Sequence, residues 1–273
     1  MDAITTAQNL FLELVHKLPP PAQSILLSST THNVLAVVLA LSVIRTFNRV
    51  LSSFVLNNWT SDKYDWSREI VLLTGGCSGI GQHVAHSLAS KGVKVIVADI
   101  NEPVAPLRNP PFPSPSSCAY RSANGDIAKN AYFYKCDVTS PASVHQTATL
   151  IRSDHGDPTV LINNAGIGKE GSILTKPESV IRAVFEVNTI SHYWTVREFL
   201  PAMLKRNHGH VITIASAGSF LGLGEMTDYS CSKASALAFH EGLTQEIRLW
   251  YKARKVRTRY SPLFLPSPSL CMF

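Results

Sequence analysis

The stretch IVLLTGGCSGIG, Ile70 to Gly81, decides the fold. A short apolar strand runs into a glycine-rich turn, and a helical pattern follows over Gly79–Ser90. The glycines at 75, 79 and 81 follow the spacing T-G-x-x-x-G-x-G. A backbone that must turn sharply and approach a pyrophosphate has no room for side chains there. The helix beyond would offer free N–H groups and its positive dipole end to the phosphates. Glycines also make ordinary turns, but a strand before and a helix after mark a dinucleotide-binding turn. Thr74, Gly75, Ser78, Gly79, Ile80 and Gly81 are therefore candidate cofactor residues.

Outward from this turn, an α/β rhythm covers residues 68–260. Apolar runs recur at Ile70–Leu73, Val93–Ala98, Tyr132–Cys136, Thr159–Ile162 and Val211–Ala215. Helical patterns lie between most of them, at Gly79–Ser90, Ala142–Ser153, Val180–Lys205 and Asp228–Trp250. This alternation predicts a doubly wound parallel sheet, covered on both faces, with ligands at the carboxyl ends of its strands. Residues 101–130 break the rhythm with many Pro and Ser and are read as a flexible insertion. Asp99 ends the second strand about 20 residues past the glycine turn, where a carboxylate can accept hydrogen bonds from an adenosine ribose. It would repel a 2′-phosphate, and no Arg or Lys lies in Gly75–Gly81, so NAD is favoured over NADP. The structural alternative for Asp99 is a helix cap or turn.

The chain has 273 residues, 45% hydrophobic, with a net charge of +6. This excludes disorder throughout and repetitive fibres. The five cysteines are scattered without a C-x-x-C pair, which points to free thiols and to no disulfide framework or metal site. Residues 1–60 form a separate hydrophobic region. Val34–Ile44 reads VLAVVLALSVI, and Arg45, Arg49 and Trp59 follow. Eleven residues are short for a span. A marginal span, a re-entrant hairpin and an interfacial helix all fit, and the alternative is a helix packed on the domain. A cleaved signal peptide fits poorly, since Asp2 stands in place of a basic start.

Tyr229 and Lys233 form a Y-x-x-x-K pair at i,i+4, on one helix face. Carbonyl reduction needs a proton donor at the forming alkoxide, and a phenol can supply it. A free phenol has a pKa near 10, and a neighbouring ammonium favours the phenolate, which suits the reverse direction. Ser216 ends the strand Val211–Ala215, where its hydroxyl can orient the substrate oxygen. Each residue alone has a structural reading: a surface pair, a turn serine.

Taken together, the TGxxxGxG turn, Asn163-Asn164-Ala165-Gly166, Ser216 and Tyr229-x-x-x-Lys233 resemble the classical short-chain dehydrogenases/reductases, over about Arg68 to Tyr260. The hydrophobic N-terminus resembles that family's membrane- or lipid-droplet-associated branch, which acts on retinoids, steroids and related lipids. The stretch NNWTSDKYDW, residues 57–66, is similar to fungal members of the branch. The resemblance implies a Rossmann-like fold and an NAD(P)-dependent oxidoreductase interconverting an alcohol and a carbonyl on a lipophilic substrate. It implies that Asn188 holds a proton-relay water and that Lys233 also holds the nicotinamide ribose. Asp137, with Val138, would meet the adenine, and Asn163, Ala165 and Gly166 would line the riboses. It further implies a homodimer through the helices Val180–Lys205 and Asp228–Trp250. The expected setting is the endoplasmic reticulum or a lipid droplet, with the catalytic domain facing the cytosol.

One region departs from the pattern. Lys255–Thr258 begins what should be a sixth strand, and then RYSPLFLPSPSLCMF, Arg259 to Phe273, follows. Proline is excluded from central strands, so this tail cannot supply the remaining parallel strands. The expectation is a truncated or alternatively spliced product, lacking its last strands and its substrate cover, with weak NAD binding and little turnover. The rival expectation is a non-catalytic, membrane-associated nucleotide-binding protein. The basic stretch Lys252, Arg254, Lys255, Arg257 and Arg259 has no nucleic-acid motif around it. It is read as a solvated helix end or as a contact for an anionic membrane surface.

Overall fold

A computed structural model describes residues 13, 17–20, 28–56, 64–103, 118–121 and 127–261. The chain divides into two units, Met1–Trp59 and Thr60–Phe273. In the first, α1 (Ser29–Leu56) is one continuous helix of 28 residues. Its stretch Ser29–Ser52 has a mean hydropathy of 1.8 and is long and apolar enough to cross a membrane. At 1.5 Å per residue the whole helix reaches about 42 Å. A re-entrant hairpin within these residues is thereby ruled out, and Arg45 and Arg49 lie inside the helix.

The second unit is built on a seven-stranded sheet in the order β3-β4-β2-β1-β5-β6-β7. The strands are β1 (Ile70–Thr74), β2 (Lys94–Asp99), β3 (Cys118–Arg121), β4 (Ile127–Lys135), β5 (Val160–Asn163), β6 (Gly209–Ile214) and β7 (Val256–Ser261). Six are parallel, and β3 pairs antiparallel with β4. Two expectations are corrected here. The insertion 101–130 contains β3 and the start of β4. The sixth parallel strand is present, paired along β6 from Gly209↔Val256 to Ile214↔Ser261, so the sheet does not stop at five. The tail from Pro262 onward lies outside the described residues.

Apolar strand runs form because both faces of the sheet are covered. Val71 and Leu73 turn to one face with Val95, Val97 and Phe133, against Ala85 and Ala89 of α2 (Gly79–Ser90). Leu72, Ile96 and Tyr134 turn to the other, against α3 (Pro141–His155) and α5 (Ser191–Arg206). Leu243 of α6 (Thr227–Gln245) joins that second core. Two helices carry a π turn. Glu186–Ile190 links α4 (Glu178–Phe185) to α5, and Glu246–Trp250 extends α6.

The amino end of the sheet has its own clasp. The Tyr64 hydroxyl donates to the carbonyl of Gly209, the first residue of β6. Its ring stacks on His208 with centroids 4.8 Å apart, and the Arg257 guanidinium lies 4.9 Å from its centre. His208 in turn meets the buried Glu69 carboxylate at 3.0 Å.

Candidate active site

The chain leaves β1 for β2 and β4 on one side, then crosses to β5, β6 and β7 on the other. The carboxyl ends of β1, β5 and β6 therefore open a crevice at the switch point, where ligands bind in such sheets.

The glycine turn forms the floor. Gly75 has φ +66°, and a Cβ there would stand 2.7 Å from the Cα of Ala165. A Cβ on Gly81 would stand 2.1 Å from the Gly75 carbonyl oxygen. Gly79 also has a positive φ, +51°, but nothing lies within 4 Å of its missing side chain. Ser78 is extended and exposed just before α2, whose first turn is Gly79, Ile80 and Gly81. Amides of a first helical turn lack intrahelical acceptors. The turn, with open space above Gly79, fits a pyrophosphate.

Two carboxylates stand at the carboxyl ends of the neighbouring strands β2 and β4. Asp99 is buried and accepts from the Cys77 amide at 2.9 Å and from the Asn101 amide at 3.0 Å, which ties the end of β2 to the turn. Asp137 is half-buried and accepts from the amide and hydroxyl of Thr139 at 2.9 and 2.7 Å, beside buried Val138.

The residues after β5 separate by alternation. The side chain of Asn163 is buried and accepts from the Thr195 hydroxyl at 2.8 Å. Asn164, which sequence reasoning left out, reaches the glycine turn and donates to the carbonyls of Thr74 and Gly75 at 2.9 and 2.8 Å. The Thr74 hydroxyl accepts from the amides of Asn164 and Ala165, both at 3.1 Å. Strand and turn are thus stitched from both sides.

Asn188, in the π turn, is fully buried. Its Oδ1 accepts from the Ile167 amide at 2.8 Å, and its Nδ2 donates to the Ile167 carbonyl at 2.9 Å and to Ser232 Oγ at 3.0 Å. Ser232 Oγ donates onward to the Tyr229 carbonyl at 2.7 Å. Ser232 was another omission; only its place beside Lys233 hinted at it. A π turn inside a helix is frequent at functional sites.

Tyr229 lies between two glycines. Cβ atoms on Gly168 and Gly218 would stand 3.0 and 3.4 Å from its ring carbons. The Gly218 amide donates to Ser216 Oγ at 3.2 Å, which brings Ser216 to the same place. Lys233 is buried, with Nζ 5.9 Å from the Tyr229 ring centre and donating to the Ile214 carbonyl at 3.1 Å. Burial lowers its pKa to about 8. A Cβ on Gly166 would stand 3.3 Å from Asn188 Oδ1 and 3.4 Å from Lys233 Nζ. Gly166, Asn188, Ser216, Tyr229 and Lys233 therefore come from four separate chain segments to one spot. Beside them, Lys176 Nζ pairs with the Asp228 carboxylate at 2.6 Å, both side chains nearly inaccessible.

The arrangement combines a glycine-rich turn with a phenol, a buried ammonium and a hydroxyl, the kinds of group that can move a proton at a substrate oxygen. Comparison with known proteins agrees. The family model for short chain dehydrogenase matches residues 69–258, and the chain belongs to that family. It is 38% identical over 239 residues to Dehydrogenase RED2 of Cochliobolus heterostrophus, covering 86% of this chain and 82% of that one. It is 33% identical to Estradiol 17-beta-dehydrogenase 11 of Macaca fascicularis, covering 66% of this chain and spanning 56% of the relative. The crystal structure of a metagenomic short-chain oxidoreductase in complex with NADP is similar at 25% identity, with a TM-score of 0.57, over 72% of this chain and 82% of that one.

Proposed function

We propose that the protein is a membrane-associated, NAD(P)-dependent oxidoreductase that interconverts an alcohol and a carbonyl on a lipophilic substrate. The observation that carries this reading is the buried Lys233 ammonium under the Tyr229 ring, with Ser216 joined through Gly218. The relatives' names support the substrate class, since they include retinol and estradiol dehydrogenases. The NADP complex of the similar short-chain oxidoreductase supports a nicotinamide cofactor.

When bound, the nicotinamide would supply or accept the hydride. Thr74, Gly75 and Ser78 to Gly81 would hold its pyrophosphate, and Asp99 would accept from the adenosine ribose. The Asp99 carboxylate supports NAD over NADP. Asp137 and Val138 would border the adenine; Asn163, Ala165 and Gly166 would line the riboses. On the protein side, Ser216 orients the substrate oxygen and Tyr229 Oη gives it a proton as the alkoxide forms. In oxidation the proton returns to Tyr229, and the Lys233 ammonium stabilises the phenolate. Asn188 fixes the loop that brings Gly166 against Lys233.

The α1 helix supports attachment to a membrane or lipid-droplet surface, with the endoplasmic reticulum as the expected setting and the catalytic unit in the cytosol. Helices α4, α5 and α6 are the expected homodimer surface. The test is turnover of the full chain with NAD(H) and retinoid or steroid alcohols and carbonyls. Tyr229→Phe should lower kcat at least 100-fold with NAD binding retained. Near-normal activity of that variant would overturn the assignment.

A further inference from the structure

The basic stretch singled out in the sequence is not used by the proposed chemistry. It lies at the opposite end of the sheet from the crevice, before and along β7. Residues 247–261 contain six cations, Arg248, Lys252, Arg254, Lys255, Arg257 and Arg259, and no Asp or Glu. Three large apolar side chains stand among them: Leu249, Trp250 and Tyr251 are all exposed, Trp250 at 73%. The Lys255 amide donates to Asn207 Oδ1 at 3.1 Å, which draws in exposed Lys205 at the end of α5.

A solvated helix end accounts for the cations, which suit the negative pole of a helix carboxyl end. It does not account for exposed Leu, Trp and Tyr among them. Exposed aromatics interleaved with cations match the interfacial layer of a bilayer, where indole and phenol rings sit at headgroup level and Lys and Arg meet anionic lipid. We infer that this amino end of the sheet, centred on Leu249–Lys255, docks on an anionic lipid surface. The chain's own layout favours that occupant. Tyr64, clasped to Gly209 at this same end, follows the last residue of α1 by only eight positions. In sequence, the end that carries the patch is therefore the one the chain enters soonest after its most apolar helix. The inference rests on the proposed membrane attachment and adds a second, electrostatic contact to it.

The test uses the full chain and flotation with two kinds of vesicle, phosphatidylcholine alone and phosphatidylcholine with 30% phosphatidylserine. The unmodified chain should partition into both through α1, and more tightly into the anionic vesicles, with the excess lost at 0.5 M salt. A basic residue near an anionic surface is worth about fivefold in partitioning. Lys252→Gln/Arg254→Gln/Lys255→Gln should therefore cost roughly 100-fold on anionic vesicles and nothing on neutral ones. In a full chain whose α1 carries Leu39→Glu and Val43→Glu, neutral vesicles should no longer be bound, while anionic ones still are at low salt. Trp250→Ala should weaken that residual binding. Equal, salt-independent binding of the unmodified chain to both vesicles would overturn the inference and leave attachment through α1 standing. No binding to either vesicle would overturn both. Retention by RNA without the anionic-vesicle excess would overturn the lipid assignment, as would a Trp250→Ala effect confined to oligomeric mass. The salt series on the unmodified chain decides the matter even if a variant fails to fold.

Discussion

Asn188 and Ile167 are joined at two points: the amide side chain accepts from the Ile167 N–H and donates to its C=O. One side chain thereby satisfies both polar groups of one loop residue, in place of a β ladder. Replacing it leaves the Ile167 groups to water on an exposed loop and removes the donor to buried Ser232 Oγ. Asn188→Ala should cost about 1–3 kcal/mol, the range for one buried polar group left without its partner. Urea unfolding measures this. NAD affinity should fall with it, because Gly166 loses its support; unchanged stability would refute the bracing role.

Gly81 and Gly79 should respond differently to alanine. The added carbon at Gly81 meets backbone at 2.1 Å and Asn164 Nδ2 at 2.5 Å, so the turn must move. Gly81→Ala should abolish detectable NAD binding and lower stability by several kcal/mol. Gly79→Ala meets nothing and pays only for its positive φ, about 1 kcal/mol. Thermal unfolding of the two variants, side by side, checks the contrast.

Lys233 carries a signed pH dependence. Its folded pKa is about 8, against an ordinary 10.5, because of burial. Below about 8 both states hold the proton and the burial penalty is felt in full. Between about 8 and 10.5 the unfolded chain keeps a proton that the folded chain has shed, so this residue's contribution to stability rises with pH. Lys233→Met should flatten that rise, as read from urea midpoints between pH 7.5 and 10.

Three buried histidines act at the acid end. His192 is held down to about 3, and His210 and His240 to about 4, with burial the leading cause in each. The unfolded chain takes up protons from about pH 6.5 downward, while the folded chain does not until about 4 or below. Stability should therefore fall as pH drops through that window. Neither ring nitrogen of His192 has a hydrogen-bond partner among the described residues. His192→Leu should leave stability at pH 7 unchanged or higher and shrink the acid loss by about a third. A larger acid loss in the variant would contradict this.

The Lys176–Asp228 pair joins the loop after β5 to the start of α6. Lys176 also donates to the Lys169 and Glu225 carbonyls, at 2.7 and 3.3 Å. Lys176→Met strands a buried carboxylate next to Tyr229 and should cost about 3–5 kcal/mol. The double variant with Asp228→Leu should recover much of it, which a denaturation cycle would reveal.

The sheet's centre was legible because its strands are buried on both faces and read as unbroken apolar runs. The glycine turn was legible because backbone crowding leaves glycine little substitute. What escaped notice lacks such a signature. Strand β7 was legible only at its start: it reads VRTRYS, only Val256 is fully buried, and pairing with β6 carries it on to Ser261 without an apolar run. Strand β3 sits in a Pro- and Ser-rich stretch and joins the sheet through antiparallel pairing with β4. The π turns left the helical period almost intact. Asn163 and Asn164 look alike in sequence, yet strand alternation sends one to Thr195 and the other to the glycine turn.

The Tyr64 clasp has a mechanical consequence. Any pull arriving along the chain from the first unit meets the bond to Gly209 and the ring stack on His208 before it reaches Ile70. The clasp passes part of it to the start of β6. The sheet's amino end is thus pinned through a side chain before the backbone enters β1 and the turn in which Gly81 has no room for a methyl.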